Sequence, residues 1–128
     1  MNKQVICDID GQFFSMDSMC VRSIENGKAE MVLGGAPDFV EGIRKFRGEW
    51  VPIVRLRTLL GIDRSEEPVL SQLIYLRTEN GTMAFRVDKV AFALGAVRKF
   101  DFHIRTADTD TISHTFGNNV IFISFNIK

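Results

Sequence analysis

The two histidines of the sequence, His103 and His114, are the first candidates for acid–base chemistry. Ser113 precedes His114, but the surrounding segment is strand-like, and consecutive side chains of a strand point to opposite faces. The serine and histidine side chains are therefore expected to diverge. Neither histidine lies in a motif that marks an activated nucleophile. The sequence predicts no catalytic dyad and no enzyme activity.

Two pairs of aspartates, Asp8 with Asp10 and Asp108 with Asp110, have a spacing that is seen in some cation sites. The first pair lacks the third oxygen ligand and the downstream glutamate of a calcium loop, and no further ligand accompanies the second pair. A hairpin turn explains the first pair and a solvated loop explains the second. No metal ion or other cofactor is predicted.

The cysteines and the glycine-rich segment also have structural explanations. Cys7 and Cys20 have no second cysteine or histidine at metal-ligand spacing. A single disulfide is one interpretation, but thiols that behave as small apolar side chains are favoured. Residues 34–37, Gly-Gly-Ala-Pro, lack the lysine of a phosphate-binding loop and are interpreted as a flexible entry to the next strand.

A basic and aromatic cluster superficially resembles a platform for single-stranded nucleic acid; it contains Arg44, Lys45, Phe46, Arg47 and Trp50. Acidic residues flank the cluster, and sixteen basic residues balance sixteen acidic ones over the whole chain. This balance removes the electrostatic footprint of a nucleic-acid binder. Nucleic acid is therefore not predicted as a partner, and a nucleic-acid-binding β-barrel is kept as an alternative, as is a small hydrolase.

The overall composition is that of one soluble domain. The chain has 128 residues, of which 45% are hydrophobic and 25% are charged. It contains no apolar run near the roughly 20 residues of a membrane helix, and its beginning has no signal-peptide core. The cytoplasm is the expected location, without direct insertion into a membrane.

The candidate residues must be positioned by short strands, because runs rich in β-branched and aromatic residues alternate with turn dipeptides. Asp10-Gly11 and Asn80-Gly81 suit tight hairpin turns, and Gly48 permits a third reversal. The predicted strands are 4–9, 12–16, two within 39–56, 73–78, 83–94, 111–116 and 120–125.

Three local features refine this all-β prediction. Pro52 cannot donate to a strand ladder, so its strand should have an edge or a bulge there. Only residues 56–60 look helical, and Gly61 is well placed as a left-handed cap. The polar segment 63–68 is the best candidate for a connection between two halves.

Residues 21–62 closely resemble the core of the CheW family, because five short motifs occur in the family's order and spacing. These are Val21 with Ile24, Ala36-Pro37-Asp38-Phe39 followed by Gly42, Phe46-Arg47-Gly48, Val51-Pro52-Ile53, and Leu56-Arg57 followed by Gly61. Residues 85–90 and 120–123 are similar to two later strands of the family.

The resemblance implies an all-β fold of two small SH3-like five-stranded barrels packed side by side. It implies a single CheW-like domain over residues 1–128. Its first subdomain would cover roughly 12–64, and its second would cover roughly 1–11 plus 69–128.

The resemblance also implies a non-catalytic chemotaxis adaptor of a bacterial two-component system. One barrel would dock on the regulatory domain of a CheA-type histidine kinase, and a groove between the barrels would receive the cytoplasmic tip of a methyl-accepting chemoreceptor. A helix laid in an apolar groove requires no cofactor. The alternative within the family is a divergent domain with a different signalling partner. Exposed barrel edges would allow a weak homodimer.

The predicted partner-binding residues are Val21, Ile24, Met31, Val32, Gly42, Arg47 and Gly48. The apolar members either line the groove or belong to the core. Arg47 either contacts a partner or holds its turn through local carbonyls, and the glycines act through backbone geometry. Trp50 is either an interface anchor or buried in the first barrel.

Three positions depart from the family pattern. Arg55 stands where the family has a helix-capping aspartate, and arginine cannot accept the amide hydrogen bonds of a helix start. Ser23 replaces a glutamate close to the expected groove. Ser124 replaces an aspartate after the final strand, and since the sequence ends at Lys128, the family's C-terminal helix is expected to be missing or truncated.

Overall fold

The computed structural model describes residues 4–62, 70–91, 111–116 and 120–125, with side chains up to residue 90. Most of this is strand and very little is helix, which confirms the predicted all-β class. The strands are β1 (Gln4–Ile9), β2 (Gln12–Asp17), β3 (Val21–Glu25), β4 (Val40–Phe46), β5 (Glu49–Arg55), β6 (Gln72–Thr78), β7 (Gly81–Val87), β8 (Lys89–Ala91), β9 (Thr111–Phe116) and β10 (Val120–Phe125). Two one-turn helices complete it, a 3-10 turn (Ser18–Cys20) and α1 (Leu56–Leu59).

Several predictions concern residues outside this description. The connection at 63–68, the pair Asp108 and Asp110, His103 and the end of the chain all lie outside the described residues. Ser113 and His114 are consecutive positions of β9, and their side chains are not described.

The strands form two five-stranded sheets. The first sheet has the order β8-β1-β2-β10-β9, and the second has the order β3-β6-β7-β5-β4. β5 pairs with β7 in parallel, and the other pairings are antiparallel. Closure of either sheet into a barrel stays a prediction, as does the division into subdomains at 12–64 and 1–11 plus 69–128. The hydrogen-bonded sheets group β2 with β1, and β6 and β7 with β3 to β5.

Two hairpins have the predicted turns. Asp10 and Gly11 have φ angles of 54° and 81°, and Arg47 and Gly48 have φ angles of 50° and 83°. Positive φ at both central residues matches the right-handed twist of the flanking strands. Each turn therefore fixes the register of its hairpin, with Ile9 opposite Gln12 in the first one.

The predicted strand at 83–94 is divided at Asp88. Its first part is β7, which pairs with β6 as far as the Gln72–Val87 pair in the second sheet. Its next part is β8, which pairs with β1 in the first sheet. Asp88 donates its backbone N–H to the Asp8 carbonyl at 3.1 Å, so the chain changes sheets at this residue.

Two hydrophobic clusters use opposite faces of β6. The inter-sheet core joins both sheets and includes Ile74 and Leu76 of β6; its other buried members are Val5, Cys7, Ile9, Phe14, Met16, Val54, Leu56, Ile62, Phe85 and Val87. The second core lies on the other face and contains Leu73, Tyr75, Phe46, Val51, Ile53 and Ala84. The second sheet is therefore buried on both faces where its central strands pass.

The α1 helix ends as the sequence predicts. Gly61 has a φ angle of 71°, and the Ile62 and Gly61 amides bond to the carbonyls of Arg57 and Thr58 at 2.7 and 3.2 Å. These are the two hydrogen bonds of a Schellman motif. At its other end, Arg55 provides no side-chain cap, also as predicted.

Pro52 lies where its missing N–H is tolerated. It pairs with Ile43 of β4 but precedes the parallel ladder between β5 and β7, which begins at Ile53.

Among the residues that the structure describes, no helix is long and apolar enough to cross a membrane.

Candidate partner-binding surface

Val21 and Ile24 lie on β3, an edge strand of the second sheet. Both side chains are half-buried and pack against the inter-sheet core. They therefore support the core and also leave apolar surface at the sheet edge, which combines the two roles that the sequence left open.

Gly42 is the point at which the segment before β4 closes onto that strand. A Cβ at this position would lie 2.8 Å from the Ala29 Cβ and would overlap the Met31 carbonyl. The φ angle of 155° is also one that side chains rarely adopt. Only glycine allows Met31 to approach so closely, and the Ile43 amide then donates to the Met31 carbonyl at 2.8 Å.

Residues 29–31 thereby cover part of the free edge of β4. Both the Glu30 and Met31 amides bond to the Ile43 carbonyl, at 2.8 and 3.2 Å. The Glu30 carboxylate accepts a hydrogen bond from the Lys45 amide at 2.6 Å. These contacts occupy backbone groups that would otherwise be available to another strand.

The same closure presents three consecutive apolar side chains to solvent. Met31, Val32 and Leu33 are 51%, 77% and 42% exposed. We call them the 31–33 ridge. An exposed run of this kind, held in place by backbone hydrogen bonds, is suited to contact with another protein.

Arg47 lies at the β4–β5 turn, and its guanidinium lies over the Phe46 ring at 4.9 Å. Arg22, the neighbour of Val21 on β3, lies over the same ring at 5.4 Å and donates to the Thr82 hydroxyl at 2.7 Å. The turn itself follows from the backbone angles of Arg47 and Gly48. Phe46 thus connects the exposed Arg47 to β3.

The basic and aromatic cluster does not form one flat platform. Phe46 is buried and stacks on Tyr75 with ring centroids 4.2 Å apart, so it is not available to stack on a base. Arg44 donates to the Lys28 carbonyl at 3.0 Å. Trp50 is 48% exposed, with the Lys45 ammonium 4.8 Å from its ring centroid.

A cleft of about 650 Å³ opens beside the 31–33 ridge. Its lining includes Val32 together with Asn26, Gly27, Lys28, Ala29, Glu41, Arg55, Leu70, Ser71 and Arg86. Arg86 holds the Glu41 carboxylate through two hydrogen bonds of 3.0 and 2.7 Å. The Ala29 amide donates to the same carboxylate at 3.2 Å, and the Arg55 Nε lies 3.7 Å from it.

A second ion pair ties the two sheets together. Arg57 of α1 contacts both carboxylate oxygens of Asp88, at 2.8 and 2.9 Å. The Asp10 amide of the β1–β2 turn also donates to Asp88, at 2.7 Å. This network joins α1, the point between β7 and β8 where the chain passes from one sheet to the other, and the β1–β2 hairpin.

Sequence reasoning missed Glu41, Arg86 and the Arg57–Asp88 pair as organising residues. A usable signal was present, because Arg86 is a charged residue between the apolar residues Phe85 and Val87 of a predicted strand. A charge at such a position is seldom buried without a partner. The identity of the partner, 45 positions earlier in the chain, could not be read from the pattern.

Asp8, a candidate cation ligand in the sequence, has a structural role. The Asp8 side chain accepts a hydrogen bond from the Gly11 amide at 2.8 Å, as expected for a residue that stabilises a hairpin turn. In the part of the chain that the structure describes, no group of three or more histidine, cysteine or acidic residues could hold a metal ion.

Neither cysteine has the environment of a reactive thiol. Cys7 and Cys20 are not joined by a disulfide. Burial raises the pKa of the Cys7 thiol far above its ordinary value. Burial, followed by the nearby Asp17 carboxylate, raises the pKa of Cys20 as well. Since the thiolate is the nucleophilic form, both shifts disfavour reaction.

A family model described as CheW-like domain matches residues 3–99, which is more than half of the chain. The chain belongs to the CheW-like domain family. Among the curated relatives, the chemotaxis protein CheW of Thermotoga maritima is 35% identical over 79 residues, which cover 62% of this chain and 48% of that protein. The chain therefore spans about half the length of this relative.

The crystal structure of scaffolding protein TtCheW from Thermoanaerobacter tengcongensis has the same fold. It matches with a TM-score of 0.67 at 22% sequence identity, over 71% of this chain and 62% of that chain. The two-sheet, helix-poor architecture is thus that of a CheW-like protein.

Two departures of this CheW-like domain now have a structural description. Arg55 contributes its charge to the cleft and makes no helix cap. Ser23 donates to the Glu25 carboxylate at 2.8 Å, so an acid is still present next to this position on β3.

Proposed function

We propose that this CheW-like domain is a non-catalytic adaptor that couples chemoreceptors to a CheA-type histidine kinase in chemotaxis. The observation that carries the proposal is the apolar surface of β3 and the 31–33 ridge, found within a domain of this family. Such surface suits helix docking and contains no reactive group.

The proposed partners are the regulatory domain of the kinase and the cytoplasmic tip of a methyl-accepting chemoreceptor. The proposed partner-binding residues are Val21, Ile24, Met31, Val32, Gly42, Arg47 and Gly48, with the two glycines acting through backbone geometry. In this proposal the contacts come from three places in the second sheet. These are Val21 and Ile24 at the β3 edge, the 31–33 ridge at the β4 edge, and the β4–β5 turn, where Arg22 of β3 and Arg47 both lie over the Phe46 ring.

The domain acts in the cytoplasm, without nucleic acid and without inserting into a membrane. Weak self-association through the β3 edge is compatible with this role, because β3 pairs with β6 on one side and forms the sheet edge on the other. The β4 edge is less suited to it, since residues 29–31 already bond there.

A receptor other than the usual one is the second candidate within the family. The observation that favours it is the replacement of acidic family residues at positions 23 and 55, which changes the charge on β3 and in the cleft beside the 31–33 ridge. Such changes alter partner choice more than they alter the fold.

NMR shift mapping with a receptor-tip fragment tests the proposal. We expect shifts at β3 and the 31–33 ridge and a micromolar dissociation constant, equivalent to about 8 kcal/mol. Val21→Asp should remove most of this affinity, because a charge in an apolar contact loses hydration without gaining a partner.

Val90→Asp is the matched control, since Val90 is also half-buried against the inter-sheet core but lies on β8 of the other sheet. It should lose stability without a specific loss of affinity. Shifts confined to the first sheet, or unchanged affinity in folded Val21→Asp protein, would contradict the proposed surface.

A further inference from the structure

We propose that the cleft beside the 31–33 ridge docks an acidic protein segment, with a carboxylate bound by Arg55 and an apolar side chain resting on Val32 and Leu70. This inference goes beyond the adaptor role, because it rests on the charge and shape of the cleft and not on the identity of the receptor or the kinase.

The cleft carries a surplus of positive charge. Its lining contains Lys28, Arg55 and Arg86 against a single acid, Glu41. Glu41 is already occupied by Arg86 and by the Ala29 amide. The lining therefore offers a partner carboxylate two more cations than acids.

Arg86 and Arg55 have different roles in this arrangement. The Arg86 side chain is 6% exposed and also contacts the Ser71 hydroxyl at 3.3 Å, so its donors are used within the protein. The Arg55 side chain is 44% exposed, and its 3.7 Å separation from Glu41 is longer than a hydrogen bond. Its planar fork of donors can therefore take an incoming carboxylate in a bidentate geometry.

The apolar rim indicates a protein segment as the occupant. Val32 and Leu70 line the cleft and are 77% and 83% exposed. A small anion would gain nothing from these side chains, whereas a peptide with neighbouring acidic and apolar residues would contact both kinds of lining. The volume of about 650 Å³ accommodates a few such side chains.

Arg55 supplies one of the two surplus positive charges of the cleft. With the aspartate of the family pattern at this position, two basic residues would face two acidic ones and the lining would be neutral. The arginine removes a helix cap and in exchange creates the cation surplus. Binding of an acidic partner at this cleft is therefore expected for this chain and not for family members that have the aspartate.

The test uses a short capped amphipathic peptide of leucine, alanine and glutamate as the probe, and a second peptide with glutamine in place of glutamate. Calorimetry and NMR at low salt should show that the acidic peptide binds at the cleft and that the glutamine peptide does not. Arg55→Gln should weaken binding about tenfold, as expected for loss of a charge-assisted contact. Arg77→Gln is the matched control, because Arg77 is exposed on β6 outside the cleft lining, and should bind like the original protein.

Any one of the following results would overturn the proposal. The first is equal affinity of the original protein and a folded Arg55→Gln variant, or no binding by either. The second is full competition by citrate, which would indicate a small-anion site. The third is tighter binding by the E66Q/E67Q variant, which would mean that Glu66 and Glu67, a few positions before Leu70 in the sequence, compete with the probe for the cleft. Receptor-tip binding by Arg55→Gln, measured in parallel, keeps failure here separate from failure of the adaptor proposal.

Discussion

Arg57 and Asp88 form an ion pair in which the Arg57 Nη2 lies 2.8 and 2.9 Å from the two carboxylate oxygens of Asp88. Asp88 is the residue at which the chain leaves the second sheet for the first. Their side chains are 6% and 13% exposed. The pair therefore lies where the two sheets and α1 meet, and its loss should affect the whole domain and not one hairpin.

Arg57→Met should reduce the free energy of unfolding by about 3–5 kcal/mol, because it leaves Asp88 as an uncompensated, largely buried charge. Urea unfolding followed by tryptophan fluorescence measures the change, and Trp50 is the reporter. Adding Asp88→Leu to Arg57→Met should recover part of the loss. A loss below about 1 kcal/mol in the single variant would show that the pair is not structurally important.

Gly42→Ala should lower stability by about 3 kcal/mol and detach residues 29–31 from β4, because its Cβ would overlap the Met31 carbonyl at a φ angle that alanine disfavours. Faster hydrogen exchange of the Ile43 amide is the specific readout. Gly35→Ala is the matched control, since Gly35 also has a positive φ angle but has no atom within 4 Å of its Cβ position. Equal effects of the two substitutions would mean that the contact with Met31 is unimportant.

Local features of the fold were predictable because each depends on a few adjacent residues. The Asp10-Gly11 and Arg47-Gly48 turns and the Gly61 cap follow from backbone preferences that a dipeptide carries. The change of sheets at Asp88 was not predictable in this way. The segment 83–94 reads as one strand, and only the length of β6 and the bond to Asp8 determine where it leaves the second sheet.

The candidate surface was predictable only in part, because some of it depends on contacts between residues that are distant in the sequence. The resemblance to the family points to β3 and to the Gly42 region, but the reason for glycine at position 42 is contact with Met31, which comes from a loop without a sequence signature. The pairing of Glu41 with Arg86 joins residues on β4 and β7 that are not neighbours in the sheet. The cleft depends on this long-range contact.

Arg55→Ser should raise the free energy of unfolding by about 1 kcal/mol, because a serine hydroxyl can accept an amide hydrogen bond at the start of α1. The backbone of residue 55 already has the extended conformation of an N-cap, with φ and ψ of −77° and 104°. Thermal melting measures the gain, and Arg55→Ala is the control without a cap. Equal melting of the serine and alanine variants would show that the missing cap does not limit stability.

Arg47→His should weaken receptor binding with little change in melting temperature. Histidine tolerates the positive φ angle of this turn better than most residues, and loss of an exposed cation–π contact costs about 0.5–1 kcal/mol. Imidazole does not reproduce the planar fork of arginine, so a contact made by that fork would be lost. If melting falls in parallel with binding, Arg47 stabilises the turn and does not contact the partner.

Reconstitution of a three-component complex tests the proposed adaptor function most directly. A chemoreceptor signalling fragment and the CheA-type kinase of the same bacterium are mixed with and without this protein, and the kinase that co-sediments with the receptor is measured. We expect the kinase to be retained only when the protein is present, with less retained by Val21→Asp and full retention by Arg77→Gln. Kinase retention that is unchanged by adding the protein, under conditions in which the protein is folded, would contradict the coupling function.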